Sequence, residues 1–210
     1  MTDSRVLDTL QKVGAFRAGH FVFTSGLHAN TYINKDAIYP YTAETSSLCR
    51  MTAEHFAKSG VEVVIGPAIA AAILAQWTAH HLTELTGHEV SAAYADKDGQ
   101  GGFVIRCGYN QIVKGKKTLI VEDLTTTGGS IRKVVDAVRA AGADVVGAAA
   151  ICNRGDVTKE MVGNPPEFFS LLTVQLEQWP AETCELCKRG IPINTEVGHG
   201  KEFLAAQSRG

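Results

Sequence analysis

Short, almost uniformly apolar segments alternate with segments of helical periodicity between residues 61 and 175, and this alternation constrains the fold more than any other feature. The segments 61–65, 118–121 and 143–151 each contain a single polar residue. Strands that are apolar on both faces are typical of a parallel sheet covered by helices on both sides. The sequence therefore predicts an α/β fold, with a doubly wound, mainly parallel sheet over residues 61–175.

Periodicity and turn residues outline the other elements. Apolar residues recur at helical spacing in 70–85 and 130–141, and further strands are expected at 90–94 and 168–174. The first 60 residues predict a small α+β subdomain, with helices at 6–16 and 42–58 and a hairpin-like pair at 21–23 and 31–33. Residues 176–210 have no clear periodicity, and we expect them to form a C-terminal extension packed on one of the other two parts.

Composition excludes several functional classes. The chain has 20 Lys and Arg against 22 Asp and Glu, a net charge of −2, so it lacks the basic footprint of a general nucleic-acid binder. No apolar run approaches the ~18–20 residues of a membrane span, and the first ten residues do not resemble a signal peptide. Five cysteines, an odd number, argue against a disulfide framework. We therefore expect a cytoplasmic protein with no membrane or nucleic-acid partner.

The residues that carry chemistry lie between the strand at 118–121 and the helix that follows it. Glu122 and Asp123 come first, and the loop Leu-Thr-Thr-Thr-Gly-Gly-Ser then enters the helix near Ser130. Gly128 and Gly129 allow backbone N–H groups to approach a phosphate, and the helix adds the positive end of its dipole. Because carboxylates repel phosphate, the two acids are expected to face hydroxyl groups or a Mg²⁺ ion instead.

Two better-known phosphate-binding motifs are absent from the sequence. Neither GxxxxGK[ST] nor GxGxxG occurs, so a P-loop and a dinucleotide-binding fingerprint are both excluded. An ordinary strand-to-helix turn capped by Asp and Thr is the alternative interpretation of the segment. Two adjacent acids followed by Thr-Thr-Thr-Gly-Gly-Ser at a strand end favour phosphate binding.

This segment resembles the motif with which type I phosphoribosyltransferases bind 5-phosphoribosyl-1-diphosphate (PRPP). The resemblance implies the type I phosphoribosyltransferase fold with a small N-terminal α+β hood. It also implies that the acids bind the ribose 2- and 3-hydroxyls, that the loop binds the 5-phosphate, and that Asp123 stabilises positive charge developing on the ribose. The PRPP-binding set implied in this way is Glu122, Asp123, Thr125, Thr126, Thr127, Gly128, Gly129 and Ser130, with Ala70 and Ala71 in the diphosphate loop.

Other segments are similar to the orotate branch of that family. The segment Phe-Thr-Ser-Gly-Leu-His at 23–28, followed by Tyr32 and Ile33, resembles the part of the hood that covers the base. Residues 152–155 fall where the branch has an aspartate-arginine pair, which makes Arg154 a candidate for the orotate carboxylate. The implied base-binding set is Tyr32, Ile33, Thr126 and Arg154. The segment from Cys184 and Cys187 onward resembles a CxLCxxGxP tail found in some members.

The activity implied by the resemblance belongs to pyrimidine nucleotide biosynthesis. The enzyme would transfer the 5-phosphoribosyl group of PRPP to orotate, release diphosphate and form orotidine 5-monophosphate. The resemblance also implies a homodimer, and Mg²⁺ as the cofactor, bound through PRPP with Asp123 as the candidate protein ligand. Besides Asp123, the catalytic candidate is Lys97, the single lysine of the stretch 94–102 that corresponds to the mobile RKxxKxHG loop of the orotate enzymes.

The departures from the family pattern leave alternatives open. The stretch 94–102 has no Arg or His, Asn153 replaces Asp, and Ala71 replaces a usual Gly. The chain could therefore act on another base, or be a catalytically weakened, regulatory PRPP- or nucleotide-binding protein. An interaction domain without nucleotide would leave the acid pair unexplained. Lys97 is alternatively a solvated loop lysine, and Arg154 a surface ion-pair residue.

Two other candidates also have a purely structural interpretation. Tyr32 could belong to the apolar core, since aromatic residues in strands usually do. Cys184 and Cys187 have metal-ligand spacing with His199 nearby, but one CxxC pair alone favours a structural turn.

Overall fold

A computed structural model describes residues 4–106 and 108–207. The helices are α1 (Ser4–Lys12), α2 (Thr42–Phe56), α3 (Ala70–Thr86), α4 (Tyr109–Val113), α5 (Gly129–Ala140), α6 (Glu185–Lys188) and α7 (Gly200–Gln207). The strands are β1 (Phe16–Val22), β2 (His28–Ile33), β3 (Val63–Pro67), β4 (Ser91–Lys97), β5 (Phe103–Val104), β6 (Lys117–Thr125), β7 (Asp144–Asn153), β8 (Phe168–Thr173) and β9 (Gln178–Trp179). Two short 3₁₀ helices span Lys35–Ala37 and Ala181–Thr183.

Six of these strands form the central sheet, in the order β5-β4-β3-β6-β7-β8. Every neighbouring pair is parallel except β4 and β5, which are antiparallel. The chain passes from β3 to β4 on one side and continues on the other side with β6, so the strand order reverses between β3 and β6. The predicted α/β fold with a mainly parallel sheet is confirmed.

Helix α5 shows why the sequence folds in this way. Ile131, Val134, Val135 and Val138 lie on one face at helical spacing, and each is 0% exposed. They belong to a core cluster that also contains apolar residues of β3, β4, β6 and β7. Fully burying a side chain of this size contributes about 1.5–3 kcal/mol. The packing fixes the first turn of α5 against the carboxyl end of β6.

The described chain divides into two compact units. The first contains residues 4–7 and 38–174, with the six-stranded sheet, and the second contains residues 8–37 and 175–207. In the second unit, β1, β2 and β9 form an antiparallel sheet. The predicted hairpin is present, but residues 31–33 pair with 16–18, and Phe21 pairs with Ala29. The division into domains at 1–60, 61–175 and 176–210 stays a prediction.

Within residues 4–106 and 108–207, no helix combines the length and the apolar character that a membrane crossing requires.

Candidate active site

The adjacent acids Glu122 and Asp123 lie near the carboxyl end of β6, beside the point where the strand order reverses. Ligands of open α/β sheets bind in the crevice at such a point, outside the carboxyl ends of the strands. Both side chains are largely buried, at 7% and 4% exposure. Burying a carboxylate is costly unless hydrogen bonds satisfy it, so the donors around these two groups determine what they can do.

Glu122 is held from both sides of its carboxylate. The Ser130 hydroxyl, in the first turn of α5, donates to Oε2 at 2.8 Å, and the backbone N–H of Asp123 donates to Oε1 at 3.2 Å. The first contact joins the acid pair to the end of the loop that follows it. Glu122 therefore fixes the position of Ser130 and is itself oriented by it.

Asp123 is held by Tyr39, a residue that the sequence analysis did not identify. The Tyr39 hydroxyl donates to Oδ2 of Asp123 at 2.6 Å, and the N–H of Leu124 donates to Oδ1 at 2.6 Å. Donors on both oxygens stabilise the ionised carboxylate and restrict its rotation. A carboxylate oriented in this way is an acceptor suited to a hydroxyl-bearing ligand.

The loop after β6 has the geometry predicted for a phosphate cradle. Gly128, at the start of α5, has φ +76°, which disfavours residues with a side chain. Its N–H donates to Thr125 Oγ1 at 3.1 Å, which closes the turn. Thr126 and Thr127 are exposed at the tip of the loop. The 12-residue helix α5 then begins, and its free N–H groups and dipole favour an anion at this end.

A cleft of about 650 Å³ opens beside this loop. Thr127, Gly129 and Ser130 line it on one side. Two lysines also line it: Lys97, at the end of β4, and Lys133, in α5. The sequence analysis proposed Lys97 and missed Lys133. Helical periodicity could have found it, since Lys133 lies four residues after Gly129 and therefore on the same side of the helix.

The segment 94–102 corresponds in the sequence analysis to the mobile loop of the orotate enzymes. In this structure it forms the end of a strand and a turn. Its first part belongs to β4, and Lys97 pairs with Phe103 of the antiparallel strand β5. Asp98 closes the turn, since its Oδ1 accepts hydrogen bonds from the N–H groups of Gln100 at 2.7 Å and Gly102 at 2.9 Å. These backbone donors lower the pKa of Asp98. The exposed Lys97 therefore extends from the base of a hairpin with a compact turn.

The start of α3 lies at the neighbouring strand end. Ala71 is 1% exposed, and Ala70 is half-buried, so a ligand there would meet mainly backbone groups. Gly66 at the end of β3 is required by close packing, because a Cβ at this position would overlap the carbonyl of Ala71.

Arg154 lies directly after β7, on the other side of β6. Its N–H donates to the Thr125 carbonyl at 2.8 Å, which places Arg154 beside the phosphate loop. The preceding Asn153 supports this segment, since its Oδ1 accepts from the N–H of Val157 at 3.1 Å and its Nδ2 donates to the Val157 carbonyl at 3.0 Å. Asn153 in place of Asp is thus compatible with an ordered loop.

The other two predicted base-binding residues belong to the second unit. Tyr32 is half-buried, and its ring centroid lies 5.4 Å from that of Phe21 and 6.5 Å from that of Phe23. Ile33 is buried, with 8% exposure. Within this unit both residues contribute to packing, and their role toward a base stays a prediction.

An acid pair, a glycine-hydroxyl loop and a helix N-terminus lie together at the switch point of a parallel sheet. This arrangement is typical of the class of α/β proteins that bind phosphorylated, hydroxyl-rich ligands. Comparison with known proteins specifies the class. The family model described as phosphoribosyl transferase domain matches residues 36–183. The chain belongs to the phosphoribosyltransferase family.

Curated relatives carry a more specific name. The chain is 36% identical over 193 residues to an orotate phosphoribosyltransferase of Caldanaerobacter subterraneus subsp. tengcongensis, which covers 92% of this chain and 96% of the relative. It is 34% identical over 188 residues to that of Thermus thermophilus, which covers 90% of this chain and 97% of the relative. The resemblance to the orotate branch is therefore confirmed over nearly the whole chain.

Solved structures agree on the fold. An orotate phosphoribosyltransferase from Mycobacterium tuberculosis, in complex with inorganic phosphate, superposes with a TM-score of 0.66 at 22% identity, over 81% of this chain and 94% of that one. The enzyme from Aeropyrum pernix gives a TM-score of 0.65 at 24% identity, over 88% of this chain and 98% of that one. The type I phosphoribosyltransferase fold predicted from the motif is confirmed.

Proposed function

We propose that this protein is an orotate phosphoribosyltransferase of pyrimidine nucleotide biosynthesis. It transfers the 5-phosphoribosyl group of PRPP to a nitrogen of orotate, with release of diphosphate. The observation that carries the proposal is the hydrogen-bonded pair Glu122 and Asp123 beside the loop 126–130, in a chain whose curated relatives bear this name. No observation favours transfer to another base or a purely regulatory role.

In this mechanism the loop after β6 binds the 5-phosphate of PRPP. Thr126 and Thr127 are exposed and supply hydroxyl donors, while Gly129 and Ser130 present N–H groups from the first turn of α5. Gly128 makes the approach possible through its left-handed backbone. This binding relies on neutral donors and a helix end, which is consistent with a chain of net charge −2.

The acid pair would bind the ribose. Each carboxylate is already oriented by the chain, so it can receive the 2- and 3-hydroxyls with little further loss of side-chain freedom. Displacement at the anomeric carbon develops positive charge on the ribose ring. Asp123, held rigidly by Tyr39, is the group that we assign to stabilise this charge.

Diphosphate would lie at the cleft beside the loop, where it leaves the anomeric carbon. Lys97 and Lys133 both line this cleft and supply two positive charges. The low number of cations in the segment 94–102 suggested a weakened enzyme, but Lys133 adds a cation from α5 that this count omitted. We therefore assign both lysines to stabilise the leaving group, together with backbone groups at Ala70 and Ala71.

Mg²⁺ is the proposed cofactor, and the acid pair fits it. Carboxylate oxygens are ligands that Mg²⁺ accepts, and the ion usually keeps several waters and binds through one or two carboxylates together with substrate phosphates. Asp123 would hold it together with the PRPP oxygens. When bound, the ion neutralises negative charge on the diphosphate.

Three residues are assigned to the binding of orotate. Arg154, beside Thr125 and Thr126, is assigned to the orotate carboxylate, and Tyr32 and Ile33 to the base. A homodimer is proposed from the family resemblance.

A panel of bases tests the function. The purified chain is mixed with PRPP and Mg²⁺ and with orotate, uracil, adenine or hypoxanthine, and diphosphate release is measured with and without EDTA. We expect turnover with orotate alone and its loss in EDTA. Turnover with another base but not with orotate, or none with any base, would overturn the proposal.

A further inference from the structure

Four potential metal-binding side chains converge in the second unit, apart from the acid pair. They are His20, His28, Cys184 and Cys187, and one ligand atom from each lies within 4.8 Å of all the others. Two come from the hairpin β1–β2, and two come from the segment around α6, more than 150 positions further along the chain. The CxxC pair is therefore completed by two histidines that its spacing could not indicate.

The separations suit one tetrahedral ion. The Sγ atom of Cys184 lies 3.6 Å from Nε2 of His20, and Sγ of Cys187 lies 3.8 Å from Nε2 of His20 and 3.4 Å from Nδ1 of His28. With Zn–N of about 2.0–2.1 Å and Zn–S of about 2.3 Å, tetrahedral geometry requires sulfur and nitrogen to be about 3.6 Å apart. The measured distances bracket this value. The two nitrogens lie closer, at 2.8 Å.

His20 has the tautomer that a metal ligand needs. Its Nδ1 lies 2.8 Å from the carbonyl oxygen of Ile191, and since a carbonyl can only accept, Nδ1 carries the proton. The lone pair is then on Nε2, which faces the other three groups. A ligating histidine that donates its other N–H to a carbonyl is the usual arrangement around zinc.

A hydrogen bond between the histidines is the alternative explanation, but it accounts for less. Nδ1 of His28 could donate to Nε2 of His20, which would leave the sulfur atoms without a reason to meet the same nitrogens. Nε2 of His28 is buried and has no partner among the described residues in either case, so it does not distinguish the two explanations.

Three of the four side chains are shielded from solvent. His20 is 2% exposed, while His28 and Cys184 are both 0% exposed. Cys187 is exposed at the surface, so an ion has a path of entry.

We propose that His20, His28, Cys184 and Cys187 bind one zinc ion, which ties the C-terminal segment to the hairpin β1–β2. Two thiolates and two imidazoles select a borderline-soft divalent ion, and four protein ligands leave no open position, so the site is structural. The backbone connects the two parts through two residue pairs between β2 and β9 and through hydrogen bonds from the N–H groups of Asn194 and His199 to β1. A small unit gains much from such a link.

The assignment does not depend on the proposed reaction, because none of the four residues belongs to the acid pair, the phosphate loop or the lysine cleft. Zinc binding could fail while orotate turnover succeeds, and the reverse. The sequence placed His199 near the two cysteines. In the structure, His199 forms a hydrogen bond of 2.9 Å with Thr24 and is not part of the cluster.

Metal analysis of the full chain tests the proposal. The protein is expressed with zinc, purified under reducing conditions and analysed by inductively coupled plasma mass spectrometry. We expect one zinc per chain that survives dialysis. Replacement by Co²⁺ should give the intense visible absorption of a tetrahedral cobalt site, with charge-transfer bands from two thiolates. A metal-free chain, or an octahedral cobalt spectrum, would overturn the assignment.

Variants identify the ligands. Cys187→Ser, at an exposed position, should fold and lose most of its zinc, and its cobalt derivative should lose thiolate charge transfer. The matched control is His199→Gln, which changes a nearby histidine outside the cluster and should retain full occupancy. Equal zinc content in Cys187→Ser and the unaltered chain would contradict the assignment, and so would a Cys184–Cys187 disulfide that no reductant converts to a zinc-binding form.

Discussion

The Tyr39 hydroxyl donates a 2.6 Å hydrogen bond to Oδ2 of Asp123, across 84 positions of the chain. Asp123 lies near the carboxyl end of the buried strand β6, and Tyr39 precedes α2. A contact of this length to a carboxylate is charge-assisted and therefore strong. Tyr39 thus acts as a positioning residue for the acid that we assign to the ribose.

Replacing Tyr39 by Phe should lower kcat more than it raises KM for PRPP. The ring remains, but Asp123 loses a donor worth about 1.5–3 kcal/mol, which corresponds to a decrease in rate of about 10–100-fold. Steady-state kinetics at saturating orotate measure the effect. Tyr41→Phe, at a half-exposed neighbouring tyrosine, is the control and should behave as the unaltered chain. Equal kcat values in both variants would refute the positioning role.

Gly128→Ala should destabilise the protein more than Gly99→Ala does. Both glycines have positive φ, so both variants carry similar backbone strain. Only at position 128 would the new Cβ crowd its neighbours, at 3.0 Å from Cγ1 of both Val157 and Val162. Overpacking should lower the free energy of unfolding by about 1–3 kcal/mol more in Gly128→Ala than in Gly99→Ala. Each kcal/mol lowers Tm by about 2–4 °C in a chain of this size. Thermal unfolding followed by circular dichroism compares them, and equal Tm values would show that the loop has room.

Lys97→Ala and Lys133→Ala should each weaken the handling of diphosphate. Removing one cation from the cleft should reduce kcat/KM for PRPP about 10-fold, with a smaller loss at high salt, because salt screens the interaction. Lys58→Ala, at an exposed lysine of the same unit, controls for a general change in charge. If Lys133→Ala matches this control, Lys133 has no part in the site.

Cys49 and Cys152 should resist alkylation at pH 8. Burial raises the pKa of both thiols to about 12, against the ordinary value of 9.0, and the thiolate is the reactive form. Because the folded state disfavours the thiolate, both cysteines should stay protected from alkylation up to the pKa of an unfolded thiol, 9.0. This protection should weaken as the pH rises toward their raised pKa of about 12. Iodoacetamide labelling with peptide mass mapping reads each site separately. Rapid labelling of either cysteine at pH 8 in the folded chain would contradict this result.

Much of the core could be predicted from the sequence, because its signals are local. The apolar strands and the helical spacing of Ile131, Val134, Val135 and Val138 place α5 and β6 within a few residues of their observed bounds. The acid pair and the glycine loop form one continuous segment, so their neighbourhood is dictated by the chain itself. The reversal of strand order, which places that segment at a ligand-binding edge, depends on pairing between distant strands and was not predicted.

What the sequence did not reveal depends on contacts between distant segments. Tyr39 reaches Asp123 only after α2 and β6 have packed into one core, and no local pattern marks it. His20 and His28 join the cysteines only when the C-terminal segment folds onto the hairpin. The hairpin at Lys97 was interpreted as a loop, since a two-residue strand such as β5 has no detectable period.

The central claim is tested most directly by following orotate itself. The purified chain is incubated with PRPP, Mg²⁺ and orotate, and orotidine 5-monophosphate and diphosphate are quantified together. We expect both products in equal amounts from the unaltered chain and from Asp136→Asn, an exposed acid of α5, and a large loss in Asp123→Asn. Failure of the unaltered chain to form orotidine 5-monophosphate, or full activity in Asp123→Asn, would contradict the account.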